Sequence, residues 1–250
     1  MIMNGGFETG NFSGWTTIGD ATIQTAGFGT QPKSGDHQAL LTTFHKIYNG
    51  QEPWEPALPL SGTDPVPRGE LETFVDVPKD FLTYLSRQRD PSGGGAVPTD
   101  GSAIKQSFHA TAGSVLVFYY NFLTDGGWGN ANDFAFVTLV SEGSLFAAII
   151  AGVESPSQSS TSGTVLKHET GYRKYACTLP FTGNYTLGLG VIEMLDTWTG
   201  SALAVDGVQL LRRPWIFPAQ LRTNQRDSLP KGPLEDRHIH RHESPVISAH

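Results

Sequence analysis

Trp54, Trp128 and Trp198 each stand in a segment of turn composition, beside Gly, Asn, Asp, Pro, Glu or Thr. An indole in a loop offers a flat apolar platform with one N–H donor, which suits stacking against a sugar ring. A Trp also packs well beneath a loop, and that alternative stays open for each of the three. Asp125, Asn130, Asn132 and Asp133 form a second candidate cluster, but Asn and Asp are ordinary loop formers, so a metal there is the weaker reading. His238, His240 and His242 alternate. In an extended strand they would share a face able to hold a transition metal. The simpler reading is a solvated basic segment that gains charge below about pH 6.5. Cys177 is the single cysteine, so no disulfide forms within the chain, and in YRKYACTLPF it reads as a small buried hydrophobe.

Catalytic signatures are missing. There is no G-x-S-x-G elbow, phosphate-binding P-loop or H-E-x-x-H helix. A glycosidase needs two carboxylates at a set separation, which a count of carboxylates does not supply. The expectation is a protein that is not an enzyme.

The elements that position these residues are strands. Ala103 to Ala110, Val115 to Phe122 and Phe134 to Val140 are rich in aromatic and β-branched residues, with Gly-rich turns between them. Leu116 to Leu123 is apolar on both faces, as a central strand covered on both sides would be. Further strands are expected at 21–26, 37–44, 72–77, 145–153, 172–179, 185–191 and 202–211. Asp76 reads as an N-cap, and one short helix follows over 78–88, where Phe81, Leu82 and Leu85 recur at helical spacing. Residues 49–70, 90–100, 124–133 and 155–164 read as loops. The whole predicts an all-β jelly-roll β-sandwich over 1–211.

Charge divides the chain. Residues 1–211 carry 10 Lys/Arg against 20 Asp/Glu, whereas 212–250 carry 7 against 4, with four histidines. An acidic body argues against a nucleic-acid surface. Residues 212–250 read as an extended C-terminal arm without a core of its own, ordered only by lying on another surface. No apolar run is long enough to span a membrane. MIMNGGFETG lacks the basic and apolar regions of a signal peptide. Either the chain is made without a secretion signal, or a signal has been removed.

Two motifs carry a family likeness. Asn4-Gly5-Gly6-Phe7-Glu8-Thr9-Gly10 with Phe12-Ser13-Gly14-Trp15, and Val205-Asp206-Gly207-Val208-Gln209-Leu210 near the end of the body, resemble the opening and closing strands of carbohydrate-binding-module-like (galactose-binding-like) jelly rolls. The middle of the chain is similar to the variant found in bacterial extracellular and surface proteins, including those with PEP-CTERM sorting tails. The resemblance covers about 1–211 and implies a β-sandwich without catalysis. It also implies a structural Ca²⁺ held by Glu8, Asp206 and the Gly35-Asp36 region, a donor set of oxygens that suits a hard cation. The alternative is that both carboxylates cap turns and face solvent.

Together these readings predict a non-enzymatic structural or attachment protein at the exterior of an assembly, such as a virion, a phage decoration or a surface layer. Its arm would meet its own or neighbouring subunits, and Trp54, Trp128 and Trp198 would meet glycans. The alternative is a secreted, Ca²⁺-stabilised carbohydrate-binding module. Either role lies outside the cell or on a particle exterior.

Overall fold

The computed structural model describes residues 1–45, 58, 60–89, 97–125, 132–156, 158–161, 163, 165–194 and 200–212. Its strands are Thr16–Ile18 (β1), Asp20–Gln24 (β2), Gln38–Thr42 (β3), Val66–Pro67 (β4), Pro98–Ala110 (β5), Val115–Thr124 (β6), Phe134–Ser141 (β7), Ser144–Gly152 (β8), Gln158–Ser159 (β9), His168–Glu169 (β10), Arg173–Thr178 (β11), Gly183–Met194 (β12) and Ser201–Leu211 (β13). Two helices, Arg68–Phe74 (α1) and Phe81–Arg89 (α2), lie between β4 and β5.

One sheet runs β1-β5-β12-β7-β8, with β4 beside β1 on the same edge of β5. The other runs β2-β3-β13-β6-β10-β9, with β11 sharing the edge of β6. Every pairing is antiparallel, so the architecture is the all-β sandwich expected. The inner faces close over one core, to which Leu116, Phe118, Tyr120 and Phe122 of β6 and Leu187, Leu189 and Val191 of β12 contribute. The outer faces are covered too. Leu123 packs with Leu40, Val165 and Leu166 outside the second sheet. Ala103, Phe134, Phe136 and Ile192 pack against Leu71, Val75 and Leu82 outside the first. β6 is therefore buried on both sides, as its composition requires.

The segment between β4 and β5 corrects the sequence reading. Residues 72–77 do not form a strand. Arg68–Phe74 is helical, so the body has two short helices rather than one. Thr73, Val75 and Val77 mimic a period of two, but Leu71 and Val75 stand four apart and face the outside of the first sheet. Nor is Asp76 an N-cap. It lies at φ 59° and pairs with Lys105 Nζ at 3.2 Å. The start of α2 is served instead by the buried carboxylate of Glu72, which accepts from the Asp80 and Leu82 amides, each at 2.9 Å. Pro78 sits three residues ahead of the helix, its carbonyl accepting from the Phe81 amide at 3.1 Å.

The stretch 155–164 is also less irregular than expected. It contains β9, a polar two-residue strand paired to β10. The arm from 213 onward lies outside the described residues. Among the described residues no helix is long and apolar enough to cross a membrane.

Candidate functional site

Two places in the sandwich collect residues able to act on a ligand. The first is the end where β3, β6 and β12 finish and β7 and β13 begin. Thr43 donates its amide to the Ser201 carbonyl at 3.0 Å, and the Ser201 amide returns a bond to Thr43 Oγ1 at 3.0 Å. Ser201 Oγ donates to Asp133 Oδ2 at 2.8 Å. Asp133 Oδ1 accepts from the Met194 amide at 3.0 Å. Asp125 closes the group: its amide reaches the Gly200 carbonyl at 3.2 Å, and its Oδ1 accepts from the Gly200 amide at 2.9 Å. A side chain on Gly200 would strike the Phe44 ring, its Cβ falling 2.1 Å from Cε2, so the close approach requires glycine.

Segments 126–131 and 195–199 begin and end at residues of this bonded group or their neighbours, and segment 46–57 begins three residues after Thr43. Trp54, Trp128 and Trp198 belong to them and lie outside the described residues, as does Asn130. What the structure supplies is a common base. Asp125 and Asp133 hold backbone and hydroxyl donors there rather than standing as an open acidic cluster.

Segment 46–57 returns at Ser61, whose amide and hydroxyl both donate to Asp20 Oδ1 at 2.7 Å. Thr42 Oγ1 donates to Asp20 Oδ2 at 2.6 Å. Burial pushes the Asp20 carboxyl above its ordinary value, against the pull of these donors. Ser102 Oγ donates to the Thr42 carbonyl at 2.6 Å and accepts from the Asp20 amide at 2.8 Å. That link ties the first sheet to the second beneath the rim. The sequence reading missed Asp20, Ser102 and Ser201, because Asp20 and Ser201 only open their strands, Ser102 belongs to no motif in β5, and the partners of all three are distant in the chain.

The second place holds Glu8, Gly35, Asp36 and Asp206, and the structure brings all of them together. Phe7 sits at φ 57° with its ring buried, and this turns the opening loop so that Glu8 reaches the 34–37 turn. Glu8 Oε2 accepts from the Asp36 amide at 3.0 Å and Oε1 from the His37 amide at 3.2 Å. Asp206 Oδ2 accepts from the Ser34 amide at 2.7 Å. The Gly5 carbonyl receives the Val208 amide at 2.8 Å, joining the opening loop to β13.

Gly6 separates the two carboxylates. A Cβ there would lie 3.7 Å from Asp206 Oδ1 and 3.9 Å from Glu8 Oε1. The Asp36 amide holds the Glu8 carboxyl below its ordinary range. Burial, and secondarily the Glu8 charge, push Asp206 above its own. Two neighbouring carboxylates are oxygen donors of the kind a hard divalent cation takes, while the backbone groups set against them here are the amides of Ser34, Asp36 and His37. Glu8 is exposed, as the turn-capping alternative has it, but Asp206 is fully buried.

Cys177, on β11, is half-buried, and burial pushes its thiol up, which disfavours the nucleophilic thiolate.

No family profile matches the chain, and no curated protein matches it. Solved structures do resemble its fold. A family-61 carbohydrate-binding module, TmCBM61, solved with beta-1,4-galactotriose, has 13% identity over 84% of this chain and 96% of its own, at a TM-score of 0.43. Another structure of carbohydrate-binding modules of the beta-sandwich superfamily has 12% identity over 82% of this chain and 60% of its own, at 0.39. The cleaved adhesin domain of Lys-gingipain has 12% identity over 80% of this chain and 89% of its own, at 0.38.

Proposed function

We propose that the chain is a non-catalytic attachment module at an extracellular or particle surface, binding glycans at the rim where segments 46–57, 126–131 and 195–199 leave the sandwich. One observation carries this reading: residues at or beside both described ends of segments 126–131 and 195–199, and Thr43 shortly ahead of segment 46–57, belong to a single hydrogen-bonded group. Aromatic platforms act together on one ligand only when their bases share a rigid frame, and this group provides one. A glycan array probed with the intact chain tests it. Binding to at least one glycan class is expected, and an array without a hit would overturn the reading.

Calcium belongs to the same proposal, as a clip between the opening loop and β13. Glu8 and Asp206 would supply carboxylate oxygens, and the 34–36 turn and the opening loop would supply backbone oxygens. Saturating Ca²⁺, near 100 times its Kd, is then worth about 2.7 kcal/mol, or roughly 5–11 °C in Tm for a body of this size. Glu8→Gln should remove that increment.

The pH dependence has a definite sign. In the metal-free protein Asp206 has a raised folded pKa, so its contribution to stability is present below the ordinary value of 3.8 and is lost as pH rises through the folded value. Ca²⁺ requires the ionised carboxylate. Its increment in Tm should therefore grow with rising pH through the acid range, in a window displaced above that of an ordinary aspartate. Thermal melts with and without Ca²⁺ across that range check it, and an increment independent of both pH and Glu8 would place the ion elsewhere.

Assembly into an exterior shell or layer is a second reading, and β8 favours it. β8 closes the first sheet, pairs only with β7 among the described residues, and reads SLFAAIIAG, with Leu145 and Phe146 exposed. A long edge strand without charge or proline lacks the usual protection against edge pairing. Two copies of β8 can pair antiparallel with no like charges opposed, although the chain carries −7. The partner is therefore a second copy, with residues 212–250 as an accessory arm. Phe146→Lys should lower the particle mass seen by light scattering, while an unchanged mass would exclude β8 as the contact.

A further inference from the structure

We propose that His45, Asp100 and Glu193 form a first-row divalent metal site of the zinc type, separate from the Glu8–Asp206 clip. One ligand atom from each residue lies within 4.8 Å of the other two. His45 Nε2 and Asp100 Oδ2 are 3.7 Å apart. Donors sharing one ion through bonds of about 2.1 Å stand roughly 3–4 Å apart, so small side-chain rotations complete the set.

Three separate elements deliver these donors. His45 follows β3 in the second sheet, Asp100 lies near the start of β5, and Glu193 lies near the end of β12 in the first. Between the pairs Ile192–Gly101 and Met194–Pro98, two residues of β5, Thr99 and Asp100, face the single Glu193, so the extra residue of the bulge lies in β5 beside Asp100. Glu193 keeps the inward parity of Leu187, Leu189 and Val191, toward the second sheet.

Charge separates a metal site from a chance ion pair. Glu193 is only 2% exposed, with a second carboxylate beside it. A carboxylate as buried as that of Glu193 is costly unless a cation or hydrogen bonds offset it, and Asp100 beside it is only partly buried, its side chain 28% exposed. A protonated His45 offsets one of the two charges. A divalent ion with neutral imidazole offsets both. One imidazole with two carboxylates also matches zinc and its neighbours better than calcium, which takes oxygens alone. Three protein donors leave coordination positions for water or for an oxygen ligand.

The experiment uses the full chain with His238, His240 and His242 replaced by Ala, so that the tail histidines do not compete. After chelation, Zn²⁺ is titrated by calorimetry without any glycan, and the outcome is therefore independent of the sugar-binding reading. One equivalent should bind and should survive excess Ca²⁺. His45→Gln and Asp100→Asn should each weaken it by at least about 10–100-fold, the loss that even an outer partner of a metal ligand causes. Glu193→Gln should do the same, but its side chain is buried. The two more exposed variants, with metal-free melts matching the parent, therefore decide the matter if Glu193→Gln fails to fold. Failure to bind zinc, or binding unaltered in both His45→Gln and Asp100→Asn, would overturn the proposal and leave an ordinary ion-paired cluster.

Discussion

Alanine at Trp54, Trp128 or Trp198 is expected to weaken glycan binding by about 1–2 kcal/mol each, roughly 5- to 30-fold, as aromatic anchors at recognition surfaces do. The three together should bring affinity below detection. Melting should barely change, because none of the three belongs to the group built by Thr43, Asp125, Asp133 and Ser201, which stays intact. The joint outcome matters. Affinity lost with Tm unchanged assigns the indoles to the ligand. Tm lost in parallel returns them to a packing role beneath their loops. Isothermal titration and thermal melts on the same samples separate the two.

Phe118→Ala should give the largest loss of stability. Its ring is fully buried in the centre of β6, stacked on Tyr175 with centroids 4.8 Å apart and beside Tyr120 at 6.2 Å. Removing a buried aromatic ring loses its transfer energy and leaves a cavity, about 3–5 kcal/mol in all. For a body of about 210 residues that is roughly 6–20 °C in Tm. β6 joins β13 on one side to β10 and β11 on the other, so the neighbouring strands have little freedom to close the cavity. Well below the midpoint, glycan affinity should be unchanged, because Phe118 lies in the body of the sandwich and not at the rim. A fall of less than about 1 kcal/mol in chemical denaturation would mean that the core is looser than its packing indicates.

The strands were legible in the sequence because their signal is local. Val115 to Phe122 is a run of valine, leucine and aromatic residues between turn segments, and burial on both faces follows from its apolar character. The first helix was not legible, because Thr73, Val75 and Val77 present a strand-like period over a stretch that folds as helix and turn. Its decisive contact, Glu72 reaching the start of α2, joins two helices and leaves no trace in spacing.

The Glu8–Asp206 place was visible only through the paired opening and closing motifs. Its electrostatics come from backbone amides at 34, 36 and 37, which any sequence would supply. His45, Asp100 and Glu193 were hidden for a similar reason. They are far apart in the chain, Glu193 sits inside the apolar run VIEM, and Asp100 lies in a bulge of β5 that no motif announces. Asp20, Ser102 and Ser201 were hidden likewise, since each meets partners that are distant in the chain.

The most direct test of the central claim, glycan recognition at the rim, is nuclear magnetic resonance of the five tryptophan indole N–H signals during titration with a glycan that binds. Trp15 is buried, its indole donating to the Asn4 carbonyl at 3.2 Å, and Trp215 lies in the arm. Saturable shifts are expected at Trp54, Trp128 and Trp198, with Trp15 and Trp215 unmoved. Shifts confined to Trp15 or Trp215, or saturation of binding with none of the three rim indoles perturbed, would contradict it.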